Sequence, residues 1–213
     1  PSQVFSQVNR TITLEHISSF TLNISADVEV KLGAKQKVRV EGTEDLIKLL
    51  NTETDNGHWS IKYTENNVRT SAKLHIYLTV TELNSAKINS SGNITGEGTF
   101  NADHFSVSIN GSGDLKMSLK VASLTVSING SGDVNLSGNA IKSSIKINGS
   151  GDVNSAELVC NKTTININGS GDVKLSVKEY LEAKVNGSGD IRYTGDPDIK
   201  IRKNGSGTVK AID

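Results

Sequence analysis

Apolar and polar residues alternate along most of this chain, and in the C-terminal half one tetrapeptide interrupts the alternation at regular intervals. An alternation of period two predicts half-buried β-strands. The tetrapeptide Asn-Gly-Ser-Gly recurs at intervals of 19, 19, 20, 18 and 18 residues, beginning at Asn110, Asn129, Asn148, Asn168, Asn186 and Asn204. A repeat of this length predicts one structural unit per copy.

The apolar positions that flank the tetrapeptide hold similar residues in successive copies. The position directly before the turn holds Ile109, Ile128, Ile147, Ile167 and Val185, and the position two residues earlier holds Val107, Val126, Ile145, Ile165, Ala183 and Ile201. The position after the turn holds Leu115, Val134, Val153, Val173, Ile191 and Val209. Stacked coils would bring each set into one apolar column, so the pattern predicts a β-solenoid with coils of about 19 residues.

The dipeptide Asn-Gly also marks tight β-hairpins, so a run of antiparallel hairpins is the competing interpretation. A meander of hairpins should have comparable turns at both ends of each strand. Here the second connection in each unit is irregular, as in 118–123, 137–144, 156–162 and 194–198. One constant corner and one variable corner per unit favour the solenoid.

Residues 1–83 lack the tetrapeptide, yet they alternate strongly. Strands are predicted around 11–14, 20–24, 28–32, 38–40, 59–63 and 74–80. Residues 43–50 break the alternation, and a threonine cap followed by two acidic residues predicts a short helix there. We therefore expect an all-β protein in which an N-terminal β region with one helix (1–83) caps the repeat solenoid (84–213), in one continuous domain.

The two ends of a solenoid need protection, because an open terminal coil offers unpaired backbone groups to other strands. The N-terminal region is the natural cap for one end. At the other end Lys203 stands where earlier copies have an apolar residue, and Thr208 stands where they have aspartate. Blunting by Arg202 and Lys203, or coverage by another subunit, would protect this end. Homo-oligomerisation is therefore a hypothesis.

Charge and composition exclude several classes of function. The 213 residues include 23 basic and 23 acidic residues, and aromatic residues make up 4%. Without a basic excess or stacking residues, nucleic-acid binding is disfavoured. The single cysteine, Cys160, cannot form an internal disulfide, and we expect a buried thiol. No apolar run is long enough to span a membrane, and no signal segment follows Pro1, although an export signal or lipid anchor could lie upstream.

One acidic position recurs directly after the tetrapeptide, and it supplies the only candidate ligand residues, which are Asp114, Asp133, Asp152, Asp172 and Asp190. Stacked coils would place these carboxylates in line about 4.8 Å apart. They could bind cations or carbohydrate, or each could accept hydrogen bonds from the backbone of its own turn. We favour the structural interpretation, and we expect the asparagines to form a similar hydrogen-bonded column.

Other catalytic or metal-binding patterns are missing from the sequence. The calcium-binding nonapeptide repeat requires a period half as long and a different spacing between glycine and aspartate. The four histidines lack metal-ligand spacing. We therefore predict no catalytic residues, no metal site and no cofactor.

The repeated Ile-Asn-Gly-Ser-Gly-Asp-Val units, with the alternating segments 20–24, 28–30 and 38–42 before them, resemble the bacterial family known as putative auto-transporter adhesin, head GIN domain. The resemblance covers roughly residues 15–210. It implies a right-handed β-helix-like domain on exported or lipid-anchored proteins of Gram-negative bacteria, periplasmic or at the cell surface. It brings no established catalytic or binding residues.

Three classes of function remain open. The first is a non-catalytic surface adhesin or binding module that contacts host glycan or matrix protein through the flat sides of the solenoid. The alternative is a structural envelope scaffold that associates with itself, and a more distant third is a polysaccharide-processing enzyme. Outward aromatic or basic clusters on one face would favour the first, a complementary apolar end face the second, and a pocket with two close carboxylates the third.

Overall fold

The computed structural model describes residues 7–212, so residues 1–6 and Asp213, at the outer ends of the two predicted regions, lie outside it. Strands account for 66% of the chain. In chain order the elements are β1 (Gln7–Ile12), β2 (Ser19–Leu22), β3 (Asp27–Leu32), β4 (Lys37–Thr43), α1 (Glu44–Lys48), β5 (Thr54–Asp55), β6 (His58–Ile61), β7 (His75–Val80), β8 (Ser85–Ile88), β9 (Asn93–Ile109), β10 (Leu115–Gly130), β11 (Val134–Gly149), β12 (Val153–Gly169), β13 (Val173–Gly187), β14 (Ile191–Thr194), β15 (Asp198–Asn204) and β16 (Val209–Ala211).

The repeat region is a β-solenoid, as the sequence predicts. Strands β9 to β13 run parallel to one another, β14 and β15 both pair with β13, and β16 pairs with β14. Equivalent residues of successive copies lie side by side, for example Ile128 beside Ile147 and Val134 beside Val153. Parallel pairing excludes the run of antiparallel hairpins. The coils repeat about every 19 residues over about seven turns.

The N-terminal strands form coils of the same stack, but their order in space differs from their order in the sequence. Strand β2 lies between β6 and β8, and β3 lies between β7 and β9, all in parallel. The segment 19–32 is therefore inserted between a coil made by β6 and β7 and a coil made by β8 and β9. The solenoid extends well into the region that lacks the tetrapeptide.

An antiparallel layer covers the N-terminal end of the stack. Strand β4 pairs with β7, and β1 pairs with β4, both antiparallel. The predicted helix is present as α1, and its Leu46 and Ile47 are buried. Thr43 occupies the cap position with an extended backbone, but its side chain makes no capping hydrogen bond. This layer ends the parallel stacking on that side.

One apolar core runs through the whole stack. It extends from Ile17 to Tyr193, and the bulkiest fully buried side chains, including Trp59 and Phe20, lie in its N-terminal part. The C-terminal coils are filled by the aliphatic columns that the repeats predict. Over residues 7–212, no helix has the length and apolar character that crossing a membrane requires.

The glycines of the corner allow the coils to stack at strand spacing. Gly130 has a φ of 149°, a conformation that side chains with a Cβ rarely adopt. A Cβ on Gly130 would lie 2.2 Å from the carbonyl oxygen of Gly111, and a Cβ on Gly132 would lie 2.2 Å from that of Gly113. The carbonyl of Gly111 also accepts hydrogen bonds from the N–H groups of Ser131 and Gly132. Close stacking of the corners from Asn110 onward therefore depends on these glycines.

We expect Val126→Asp to destabilise the protein by about 4 kcal/mol, because it places an unpaired charge in the apolar column. Val126 is fully buried, whereas its neighbour Thr125 is exposed. Thr125→Asp is the matched control and should change the free energy of unfolding by less than about 0.5 kcal/mol. Denaturant unfolding measures both. Equal stabilities of the two variants would contradict the coil register.

The glycine variants Gly132→Ala and Gly98→Ala separate the two roles of glycine. Gly98 has a φ of 81° but open space around its Cβ position, whereas Gly132 would bring its Cβ against a neighbouring carbonyl. We expect Gly98→Ala to cost about 1 kcal/mol, from backbone strain alone. Gly132→Ala should lower the melting temperature more, because two stacked corners must separate. The opposite order would show that close stacking of the corners is not limiting.

Candidate functional site

The asparagines of the corner form one hydrogen-bonded column along the solenoid. The side-chain N–H of each asparagine donates to the Oδ1 atom of the preceding asparagine over 2.8 to 2.9 Å. The column comprises Asn23, Asn89, Asn110, Asn129, Asn148, Asn168 and Asn186. Because each amide is both donor and acceptor, the column crosslinks the corners of neighbouring coils.

The candidate aspartates are brought together in a second column beside the first. The Oδ1 atom of each one accepts a hydrogen bond from the backbone N–H at the equivalent position of the next coil, over 2.7 to 2.9 Å. The expected acceptance from the same turn is replaced by a bond between coils. Asn93 begins this column, because its Oδ1 accepts from the N–H of Asp114, and Thr208 ends it.

The charges of the aspartate column are partly compensated at its C-terminal end. Arg192 contacts the Oδ2 atoms of Asp190 and Asp172 over 3.0 and 3.4 Å. The hydroxyl and the backbone N–H of Thr208 both donate to Asp190 and hold the pKa of that carboxyl below its usual value. Within residues 7–212, no group of three histidine, cysteine or acidic side chains is arranged to hold a metal ion.

A row of hydroxyl groups lies on the flat side of the solenoid before the corner, and we call it the hydroxyl row. Each member sits beside its equivalent in the next coil; the row comprises Ser85, Ser106, Thr125, Ser144 and Thr164. Their side chains are exposed or half-buried. In the described part of the chain these five hydroxyl groups make no hydrogen bond, so they are available to a ligand.

A second outward row runs parallel to the hydroxyl row, two residues further along each strand. It contains hydroxyl, amine and amide groups from Lys87, Ser108, Ser127, Lys146 and Asn166. Hydroxyl donors and acceptors of the first row therefore lie beside cationic and amide groups of the second. The two rows form a flat polar surface whose chemistry repeats at the spacing of the coils, about 4.8 Å.

An open groove of about 540 Å³ adjoins the N-terminal part of the hydroxyl row. Its walls combine Ser85, Ser106 and Thr125 with amide, carboxylate and imidazole side chains from the variable corner, among them Asn101, Asp103 and His104. The polar side chains are exposed or half-buried, and the buried Leu83 and Phe105 also line the groove. The groove therefore adds a mixed polar and apolar surface beside the hydroxyl row.

The densest group of titratable side chains lies on another side, near the N-terminal end. The guanidinium of Arg39 lies 3.6 Å from the centre of the Tyr77 ring, and His75 stacks on the same tyrosine. The carboxylate of Glu41 is bonded to Arg39 and Tyr77, and that of Glu29 contacts His75 over 3.0 Å. Both carboxylates are occupied by neighbouring groups in this network.

The hydroxyl row carries a sequence signal that the search for chemical motifs missed. A serine or threonine stands four residues before the corner asparagine in the copies from Ser19 to Thr164. Ser19 itself is bonded to His58 over 2.9 Å, so it is not free. The buried thiol predicted for Cys160 is confirmed, and burial raises the pKa of this thiol. Its S–H donates to the carbonyl of Lys162.

Stacked parallel coils, uniform glycine corners and polar flat sides define a β-solenoid repeat protein. The family model described as "Putative auto-transporter adhesin, head GIN domain" matches residues 18–197. The chain belongs to this family, as the repeated motif indicates. No curated protein matches the sequence.

Solved structures share the fold over the whole chain. A putative adhesin from Bacteroides fragilis superimposes with a TM-score of 0.90 at 23% identity, covering 100% of this chain and 99% of its own. A putative lipid binding protein from Parabacteroides distasonis gives a TM-score of 0.79 at 22% identity, covering 97% of each chain. A putative adhesin from the same species gives 0.78 at 20% identity, covering 98% of each. At these identities the similarity establishes the fold alone.

Asp133→Ala and Asp133→Asn test what the aspartate column contributes. Alanine removes the acceptor of the Asp152 N–H, and we expect a loss of about 1 kcal/mol in the free energy of unfolding. Asparagine keeps an oxygen at that position, as Asn93 does naturally, and should preserve stability. Thermal unfolding measures both variants. If asparagine destabilises as much as alanine, the carboxylate charge contributes more than the hydrogen bond.

Proposed function

We propose that this protein is a non-catalytic binding module that holds extended polar polymers, glycans above all, against the flat surface formed by the hydroxyl row and its neighbouring row. The hydroxyl row is the observation that carries the proposal, because its members are accessible and have no hydrogen-bond partner in the described residues. A polymer with repeated hydroxyl groups could engage several coils at once. Weak contacts summed over coils give useful avidity.

The polarity of the surface favours glycans or matrix protein over lipid as the ligand. One structural neighbour carries the name putative lipid binding protein. A lipid tail needs a contiguous apolar surface. The exposed large apolar side chains found in the described residues are Leu32, Ile141, Ile199 and Ile201. None of them belongs to the two polar rows.

Family membership supports a location outside the cytoplasm. We propose that the protein is exported to the periplasm or the cell surface, with an upstream segment as the lipid anchor. A surface location suits a module whose polar side chains are presented along one flat side. Adhesion to host glycan or matrix protein is the activity that this placement supports.

A self-associating scaffold is the second candidate function. It is favoured by the apolar side chains that the last coil leaves exposed, because Ile199 is 50% exposed and Ile201 is 37% exposed. Both residues continue inward columns of the core, beside Leu181 and Ala183. Self-association and glycan binding use different surfaces, so both can belong to one protein.

Glycan and extracellular-matrix arrays, probed with and without calcium, test the proposed activity. The key variant is the double substitution Thr125→Val and Thr164→Val, which removes two hydroxyl groups but keeps the β-branched shape. We expect it to weaken binding at least about tenfold, since two hydrogen bonds of about 1 kcal/mol each are lost. Thr95→Val, on an exposed position of another side, is the matched control.

Each outcome of the array has a definite meaning. Saturable binding that the double variant loses and the control keeps supports the hydroxyl row. Binding that depends on calcium and is lost in Asp133→Asn, which should fold normally, would transfer the activity to the aspartate column. Silence across all panels would contradict the adhesin proposal and leave the scaffold.

A further inference from the structure

The last coil exposes a strand whose residues are complementary to those of an identical strand. Strand β15 pairs with β13 along one edge, and no strand of the described chain pairs with its other edge. All seven of its residues are exposed, including two isoleucines that face the core direction. A free edge with apolar side chains is a site for strand addition.

We propose that two copies of this protein form a two-fold symmetric dimer in which the β15 strands pair antiparallel, with Lys200 opposite itself. In this register Ile199 lies opposite Ile201 of the partner subunit, so the exposed apolar side chains cover one another. Asp198 lies opposite Arg202 of the partner subunit. A two-fold axis repeats each of these pairs, which makes the interface self-complementary.

We chose this register because the neighbouring strand registers are less favourable. Centring the pair on Ile201 would put Ile199 opposite Lys203 and Asp198 opposite Asn204, so neither the apolar side chain nor the carboxylate would face a complementary residue. Centring it on Ile199 would put Ile201 opposite Pro197, which has no N–H to donate. A shift by one residue would place the isoleucines against charged side chains. The register centred on Lys200 pairs the isoleucines with each other and Asp198 with Arg202.

The charges around the centre also fit this register. The Nζ atom of Lys200 lies 2.9 Å from the Oε1 atom of Glu182 in the preceding coil, so the two central lysines are already neutralised. Neither Asp198 nor Arg202 takes part in an ion pair closer than 4 Å in the described chain. These two exposed residues are therefore free to pair with a partner, and the dimer pairs them with each other.

Two residues of the last coil differ from the repeat pattern, and both oppose the alternative of open-ended head-to-tail stacking. Lys203 lies beside Val185 in the column, and its Nζ atom donates to the carbonyl of Gly207 over 3.0 Å, so it closes over the end of the core. Thr208 ends the aspartate column without offering a carboxylate to a following coil. A further coil stacked in parallel would bury this lysine, whereas an antiparallel partner at β15 leaves it at the rim.

Charge reversal tests the dimer without disturbing the core. Arg202→Asp places two carboxylates opposite each other, and light scattering over a dilution series should show the mass fall from twice that of the chain to that of one chain. The double variant Asp198→Arg with Arg202→Asp restores opposite charges and should restore the dimer. Lys146→Asp, in the same outward row but away from the end coil, is the control and should stay dimeric.

A cysteine at the two-fold axis provides the second test. Residues directly opposite in an antiparallel pair have Cα atoms about 4.5 to 5.5 Å apart, which a disulfide can bridge. Lys200→Cys should therefore form a crosslinked dimer on oxidation, and buried Cys160 should not compete. Lys184→Cys, one coil inside, is the control, because the proposed dimer separates its two copies by more than about 14 Å.

Several results would overturn the proposal. They are a single-chain mass for the native protein at every concentration, a dimer that Arg202→Asp leaves intact, masses that grow beyond two chains, and crosslinking that is equally fast at positions 184 and 200. The interface is small, with five residue pairs in register. The expected native behaviour is therefore a dimer that dissociates on dilution. Glycan binding is not required for any of these outcomes.

Discussion

The stacking of one corner on the next at the distance of hydrogen-bonded strands is the constraint on which this structure depends. The distance between successive coils is the same along the stack, so it also fixes the distance between neighbouring residues in every column. The corner meets this constraint in three ways. Gly130 and its equivalents allow the backbone to approach a neighbouring carbonyl, the asparagine amides bond to one another, and the aspartates accept from the next coil.

The same regularity produces the surface proposed for binding. Once the coils are in register, any outward residue that recurs at the repeat interval becomes a row, as Ser106 and Thr125 do. The flat side thus arises from the geometry of the core, and its chemistry can vary without affecting the fold. The fold can be kept while many residues change, as a TM-score of 0.90 at 23% identity shows.

The body of the solenoid could be predicted from the sequence because its signals are local. From Asn110 to Asp190, two glycines, an asparagine and an aspartate specify each corner, and the aliphatic residues on either side specify the columns. The order of the N-terminal coils could not be predicted, because Ile24 and Ala26 stand in place of the corner glycines in the segment 22–28. The pairing of β2 with strands that come much later in the chain has no local signal at all.

The candidate site was predicted only in part, for a related reason. The five aspartates do form a column, but an N–H of the same turn and one of the next coil are equally plausible partners from sequence alone. Stacking decides between them, as the bond from Asp152 to Asp133 shows. The hydroxyl row was hidden because serine and threonine are ordinary residues in exposed strands. These residues form a candidate binding surface only because the fold aligns them across successive coils.

The insertion of 19–32 between later strands has a consequence for the order of folding. Both neighbours of β2 and β3 are made after them, since β6 to β9 lie downstream in the chain. A chain that emerges with its N-terminus first therefore cannot complete its first coil until about a hundred residues are available. Such long-range pairing is slow to form, whereas later coils can each add to the one before. The later repeats can therefore extend the structure one coil at a time, whereas the first coil forms only after the downstream strands are available.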